Sequence, residues 1–555
     1  MSGIPQTSTS ATSLLLHADQ KQGAGPQQYS LSPSPRDWGT ALDPSLPEPD
    51  DHLHNPDPVR DRKYDKGGHI FTSRGLGNLG CLFILAAGIT MLFAGYPILS
   101  HFLTKAPSTN GGFNIGGINA TGQVPQFPTN FGLIDKDTPQ DAYTKTSYQT
   151  GEELVLVFSD EFNTDGRTFF PGDDPFWEGV DLHYWGTNDL EWYDPSQPIT
   201  QGGALRLTLE KVDPGDNHDL SYRNKFCFTG GLVETAVTLP GANNVAGFWP
   251  AVWAMGNLGR AGFGGSLDGL WPYSYDTCDV GTLPNQTYPN RAEPLAATQG
   301  GDPSAGGVLS YLPGQRLSAC TCKGESHPGP MRSDGSYVGR SAPEIDIFEA
   351  LIGPDGGEVS LSAQWAPFNV RVVGDTSSIS ARTLAHDGVI VGIYQQTTSG
   401  LAPSNQDCYE LGKGCFSVYG FEYKPGLDKD SYITWINDGT PAWGLTAAGL
   451  GADTTTEISA RPIPMEPMYL IANLGFSTNF ATIDFTKLTF PSTMSMDYIR
   501  VYQPKSAINV GCSPPNFPTS PYIDAFMDVY TNPNISTWKQ SGQPWPKNRL
   551  ETGSC

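Results

Sequence analysis

Basic residues are scarce in this 555-residue chain: 33 Lys and Arg stand against 57 Asp and Glu, a formal net charge of −24. Nucleic acid binding leaves a basic patch as its footprint, so nucleic acid is excluded as a partner. The chain also lacks a repeat of solenoid period and any long amphipathic helix. Cys320-Thr-Cys322 has no second CxxC or HxxxH element at zinc spacing. Helical bundles, repeat arrays and zinc modules are therefore poor fits. No metal ligand set and no cofactor is expected, and a structural calcium ion is not readable from sequence. Charged residues make up only 16% of the chain, whereas Gly (64), Pro (47), Tyr (23) and Trp (12) are abundant. Such a composition suits many short strands joined by Gly/Pro turns.

One run is both long and apolar. Leu79 to Leu99 reads LGCLFILAAGITMLFAGYPIL without a charge, about the 20 residues that cross a bilayer as a helix. Arg60, Arg62, Lys63, Lys66 and Arg74 precede it, and only Lys105 follows closely. The positive-inside rule then places the N-terminus in the cytoplasm and the later chain in the lumen or outside the cell. A cleaved signal peptide would lie nearer the start, and a core helix is rarely apolar on every side. The expectation is a single-pass type II membrane protein of the endoplasmic reticulum, Golgi or plasma membrane, held in the lipid bilayer by residues 79–99. Sequons at Asn119, Asn285 and Asn534 all lie beyond the span. So do eight of the nine cysteines, Cys81 being inside it; an even number suits an oxidising compartment. Cys408 and Cys415 are close enough to staple one loop, and the remaining pairings stay open.

The organisation follows. Residues 1–75, rich in Ser, Pro and Asp, read as a disordered cytoplasmic tail. Residues 76–103 form the signal anchor, and 104–150 a Gly/Asn/Thr/Pro-rich lumenal stalk. From 151 to 505 short alternating runs bounded by Gly, Pro, Asn or Asp predict a two-sheet antiparallel β-sandwich of jelly-roll type. A long loop at about 256–342 is inserted in it, a length that is usually functional or disordered; its cysteines and sequon favour an ordered insertion. Residues 506–555 are a Cys-containing extension, expected to lie against the sandwich and be held by a disulfide.

Residues 343–350, PEIDIFEA, carry three acids. On a regular strand Glu344 and Asp346 share a face, and Glu349 falls on the other. An extra residue at Ile347–Phe348, a β-bulge, would return Glu349 to the first face. Two carboxylates about 5–5.5 Å apart are the equipment of a retaining glycosidase, one attacking the anomeric carbon and the other moving the proton. Acids interleaved with Ile345, Ile347 and Phe348 sit on a strand buried on one side, where unused carboxylates would be costly.

PEIDIFEA resembles the E-[I/L]-D-x-x-E signature of glycoside hydrolase family 16 in its laminarinase-like form. GFWPAVWAMG (247–256) resembles the strand upstream of it, and FSVYGFEYKPGLDKDSYITWINDG (416–439) the strand pair ending in that family's DG turn. PMYLIANLGFS and MDYIRVYQ resemble its last strands, so the likeness covers about residues 150–505 in order. The cytoplasmic tail, anchor and Cys-bearing insertion also resemble the fungal β-glucan synthesis-associated membrane proteins, implicated in β-1,6-glucan of the cell wall. The resemblance implies Glu344 as nucleophile, Asp346 as assisting acid and Glu349 as general acid/base. It implies a sugar cleft with Trp249, Trp253, Asn188, Glu191, Trp192, Gln364, Trp365 and Asn473, and β-glucan as the partner; protein partners are unknown. Gln364-Trp365 stands where laminarinases often carry His-Trp, and Gln cannot ionise. The implied activity is retaining hydrolysis or transglycosylation of β-glucan. The alternative is a non-catalytic glucan-binding or scaffold protein that keeps the fold.

Overall fold

A computed structural model of the chain describes residues 57–64, 71, 73–96, 98–99 and 132–555, apart from 172, 212–224, 302, 369–378 and 382–386. It divides into two units, up to Lys105 and from Ala106 onward. In the first, a short helix, Pro58–Tyr64, lies within the stretch expected to have no structure. A second helix, Ser73–Thr90, continues as a π-helical turn, Met91–Gly95. Gly75–Gly95 is long and apolar enough to cross a membrane, and it begins four residues before the run expected from sequence. Most of the expected tail and stalk, with the sequon at Asn119, lies outside the described residues.

Among the described residues the second unit holds sixteen strands. In chain order these are β1 (Thr144–Thr146), β2 (Glu153–Asp160), β3 (Pro198–Thr200), β4 (Leu205–Leu209), β5 (Gly231–Thr238), β6 (Trp249–Gly256), β7 (Glu344–Gly353) and β8 (Gly356–Trp365). There follow β9 (Ile379–Ala381), β10 (Asp387–Val391), β11 (Gln396–Pro403), β12 (Ser417–Lys424), β13 (Tyr432–Asn437), β14 (Thr440–Thr446), β15 (Met468–Gly475) and β16 (Ser492–Pro504). Ten strands form one antiparallel sheet along the path β1-β2-β16-β5-β12-β13-β14-β9, with β3 and β4 joined through β16. The other six form a second sheet in the order β10-β11-β8-β7-β6-β15. The fold is thus the expected two-sheet sandwich of antiparallel strands.

Alternation dictates the core. Phe158, Val233, Phe421, Ile433 and Trp435 of the larger sheet pack against Val252, Ile345, Phe348, Leu361 and Trp365 of the smaller. Burying one such side chain contributes roughly 1.5–3 kcal/mol. Turn chemistry agrees with pairing: Asp438 and Gly439, both at positive φ (49° and 72°), close the β13–β14 hairpin as the two-residue primed turn that a DG pair favours.

The insertion between β6 and β7 is an ordered layer of short helical turns, closed internally by Cys278–Cys320. The C-terminal extension lies against it. Cys227–Cys512 and Cys322–Cys555 tie its two ends, and Cys408–Cys415 staples the expected local loop. Arg340 of the insertion forms a buried, bidentate pair with Glu466 and donates to the Thr519 hydroxyl. Arg316 lies over Trp538 and Trp545, 3.1 and 4.2 Å from their ring centres. Tyr522 and Trp538 of the extension share a buried cluster with Leu258, Leu270 and Leu317, and Trp271 packs against it.

Candidate active site

The parity mismatch in EIDIFE is resolved by the backbone. On β6, Met255, Trp253 and Ala251 oppose Glu344, Asp346 and Glu349; on β8 the partners are Gln364, Ser362 and Ser360. Each partner set steps by two, so all three acids lie on one face. The register shifts between Asp346 and Glu349, with Ile347 the additional residue, and Ile347 and Phe348 are both fully buried. A bulge takes backbone groups out of the ladder, and buried ones need another partner. The opposite sheet supplies it: the Trp435 indole donates to the Asp346 carbonyl at 2.8 Å. Trp443, stacked on Trp435 at 4.2 Å, donates to the Leu361 carbonyl across from the bulge at 3.0 Å.

Donors meet each acid. The indole of Trp271, reaching out of the insertion, donates to Glu344 Oε2 at 2.5 Å. Ser362 and Gln364 donate to Asp346 Oδ2 at 2.7 and 3.1 Å. Trp249 donates to Glu349 Oε1 at 3.0 Å, and the Ser362 hydroxyl is 3.4 Å from Oε2. Burial pushes Glu344 well above the ordinary carboxylate range, and the neighbouring charges of Asp346 and Glu349 add to this while Trp271 opposes it. Burial, reinforced by Asp346, pushes Glu349 up to about 8 against its bonds from Trp249 and Ser362. Asp346 is raised by burial and held back by Ser362, Gln364 and Glu344. Three buried carboxyls cannot all ionise cheaply, so the cluster resists full ionisation.

The remaining expected residues divide. Gln364 faces the acids, its Oε1 accepting from Thr397 at 2.5 Å and from Gln395 at 3.2 Å, which aims its amide nitrogen at Asp346. Trp249 stacks on Phe480 at 4.2 Å. Trp253 donates to Asn473 at 2.9 Å, and Asn473 in turn donates to the Tyr193 hydroxyl at 3.2 Å. The loop bearing Asn188, Glu191 and Trp192 docks at the end of β15, where Leu190 donates to the Phe476 carbonyl. Asn188 is left-handed (φ 58°) and bonds to Thr478; Trp192 is exposed and donates to Asp181. Glu191 is buried and accepts from the Phe476 amide, and burial with the charge of Asp189 raises it to about 7. It fits because Gly475 has no side chain: a Cβ there would lie 1.9 Å from Glu191 Oε1.

Trp365 corrects the expectation. It is fully buried in the sandwich core and donates to Thr398 at 2.9 Å, because alternation turns it away from the face that Gln364 occupies. Asn534 is exposed and Asn285 half-buried. Sequence reading missed Ser362, whose alternation with Gln364 was a usable signal. It also missed Trp271, which carries no local signal because it sits 73 residues from its partner.

A profile described as "Beta-glucan synthesis-associated protein SKN1/KRE6/Sbg1" matches residues 41–555. The chain belongs to this family. It is 40% identical to Beta-glucan synthesis-associated protein SKN1 of Candida albicans, over 91% of this chain and 66% of that protein. It is 39% identical to KRE6 of Saccharomyces cerevisiae, over 92% of this chain and 69% of that protein. The chain thus spans about two-thirds of the length of these relatives. Among solved structures, the catalytic domain of an endo-1,3-beta-glucanase (laminarinase) from Thermotoga petrophila is 18% identical. That match covers 64% of this chain and 99% of the laminarinase at a TM-score of 0.35.

Proposed function

We propose that the chain is a retaining glycosidase or transglycosidase acting on β-glucan during assembly of the fungal wall, with its sandwich on the lumenal or extracellular side of a type II anchor. The observation that carries this reading is the bulge, which sets Glu344, Asp346 and Glu349 on one face with separate donors for each. Glu344 attacks the anomeric carbon while Glu349, protonated at neutral pH, gives its proton to the departing oxygen. Glu344 must be ionised to attack, and the proton it shares with Asp346 moves to Asp346 as the bond forms. Trp271 stabilises the Glu344 carboxylate beforehand. In the second step Glu349, now ionised, takes a proton from water or a sugar hydroxyl, whose oxygen attacks the glycosyl-enzyme and releases Glu344. Water gives hydrolysis and a hydroxyl gives transfer.

The test uses the full chain in detergent with linear β-1,3- and β-1,6-gluco-oligosaccharides, products being read by mass spectrometry. Shortened or extended products from the wild type, and none from Glu344→Gln, are expected. Absence of both from the wild type, with Glu344→Gln still complementing wall assembly in cells, would sink the enzymatic reading in favour of a glucan-binding scaffold.

A further inference from the structure

The hydrogen-bonded face does not end at Gln364. Gln395, which donates to Gln364 Oε1 at 3.2 Å and to Thr397 at 3.4 Å, stands just before β11, at the opposite side of the acids from Trp253 and Asn473. Beside it, Tyr394 is 55% exposed in the β10–β11 turn. Tyr311, 43% exposed, comes from the insertion, and the two ring centres lie 6.3 Å apart with planes at 58°. The pair is held rather than accidental: the Tyr311 amide donates to the Ile393 carbonyl at 2.8 Å, and its hydroxyl to the Ala305 carbonyl at 3.1 Å. The insertion is thereby pinned to the turn that carries Tyr394.

We propose that Tyr311 and Tyr394 form an outer subsite that grips a pyranose ring of a β-glucan chain as it leaves the acids over β8 and β11. This rests on the glucan-active reading above and extends it to the far arm of the cleft. Two sheet spacings separate β7 from β11, about 9–10 Å, so the notch meets a ring beyond the one under attack. Aromatic faces suit the apolar faces of sugars, and the two hydroxyls leave the notch polar at its rim. The intervening amides of Gln364 and Gln395 and the Thr397 hydroxyl line the path between the notch and Asp346. The insertion therefore supplies one of the two walls, and would set the length of glucan that is held.

Calorimetric binding of gluco-oligosaccharides of graded length, β-1,3 and β-1,6, to the full chain carrying Glu344→Gln tests this. Tyr394→Ala and Tyr311→Ala should each weaken the longest oligosaccharides roughly two- to tenfold, and leave the shortest unchanged. Tyr394→Trp should restore or tighten the long ones. Binding of long oligosaccharides unaffected by either alanine overturns the subsite while leaving the glucan-active reading intact. No binding at any length by the Glu344→Gln protein counts against that reading itself. Should Tyr311→Ala fold poorly, Tyr394→Ala decides the matter, since its side chain is exposed on a turn.

Discussion

Glu349 and Trp271 carry the predictions with the smallest footprint. A general acid must be protonated, so activity should fall as pH rises through about 8, the value to which burial and Asp346 push Glu349. Measuring kcat/KM against pH on a gluco-oligosaccharide checks this, and a descending limb near 5 would contradict the assigned role. Trp271→Phe removes the donor that favours the Glu344 carboxylate. If Glu344 is the nucleophile as proposed, its pKa should rise, moving the acid limb of the profile to higher pH and lowering kcat about tenfold at neutral pH. Raised carboxyl pKa values also have a stability sign. A native state that binds more protons than the unfolded chain loses stability as pH climbs from the unfolded pKa toward the folded one. Glu349→Gln should therefore stabilise the fold at pH 7 by on the order of 1 kcal/mol, read as a raised melting temperature. At this scale the parity of EIDIFE was legible because a strand's period is two, and it predicted the bulge. Trp365 was misplaced by carrying a two-residue motif over whole, although the same alternation puts neighbours on opposite faces.

Among elements, the bulge on β7 depends on β13. Trp435→Phe keeps most of the packing but leaves the Asp346 carbonyl buried without its indole donor. Unfolding should cost about 1–3 kcal/mol less, and kcat should fall with it because Glu349 is aimed by the same backbone. Chemical denaturation and a kinetic assay on one preparation check both. Alternating runs made most strands recognisable, and the DG turn located the β13–β14 hairpin. Their partners were not legible, since Trp435 and Asp346 are 89 residues apart and nothing local records the meeting. The insertion was visible as a long Gly- and Pro-rich interruption; its delivery of Trp271 and Tyr311 was not.

For the molecule as a whole, the extension after β16 acts as a strap over the insertion. Paired Cys322→Ser and Cys555→Ser substitutions release its end. A native disulfide typically stabilises by about 2–4 kcal/mol, so the melting temperature should drop, and limited proteolysis should cut first within the extension. Activity should decline too, because Tyr522 and Trp538 back the cluster against which Trp271 packs. The proposed topology has its own readout: endoglycosidase treatment of cell-made protein should shift its mobility, and Asn534→Gln should remove part of that shift. A protein wholly resistant to the enzyme would count against the lumenal placement of the sandwich. Composition alone pointed to the sheet architecture and the apolar run alone to the bilayer, because both signals are local sums over many residues.

The indole of Trp435 spans the gap between the two sheets, so the interior of the sandwich is mechanically continuous with the acids on its outer face. Substitutions in the hydrophobic layer, well away from any sugar, would then masquerade as lesions of the chemistry. A genetic screen for loss of wall glucan should return core positions around Trp435 and Trp443 alongside Glu344 and Glu349. Conversely, a compensating change on the larger sheet could retune the acid pair without touching the cleft.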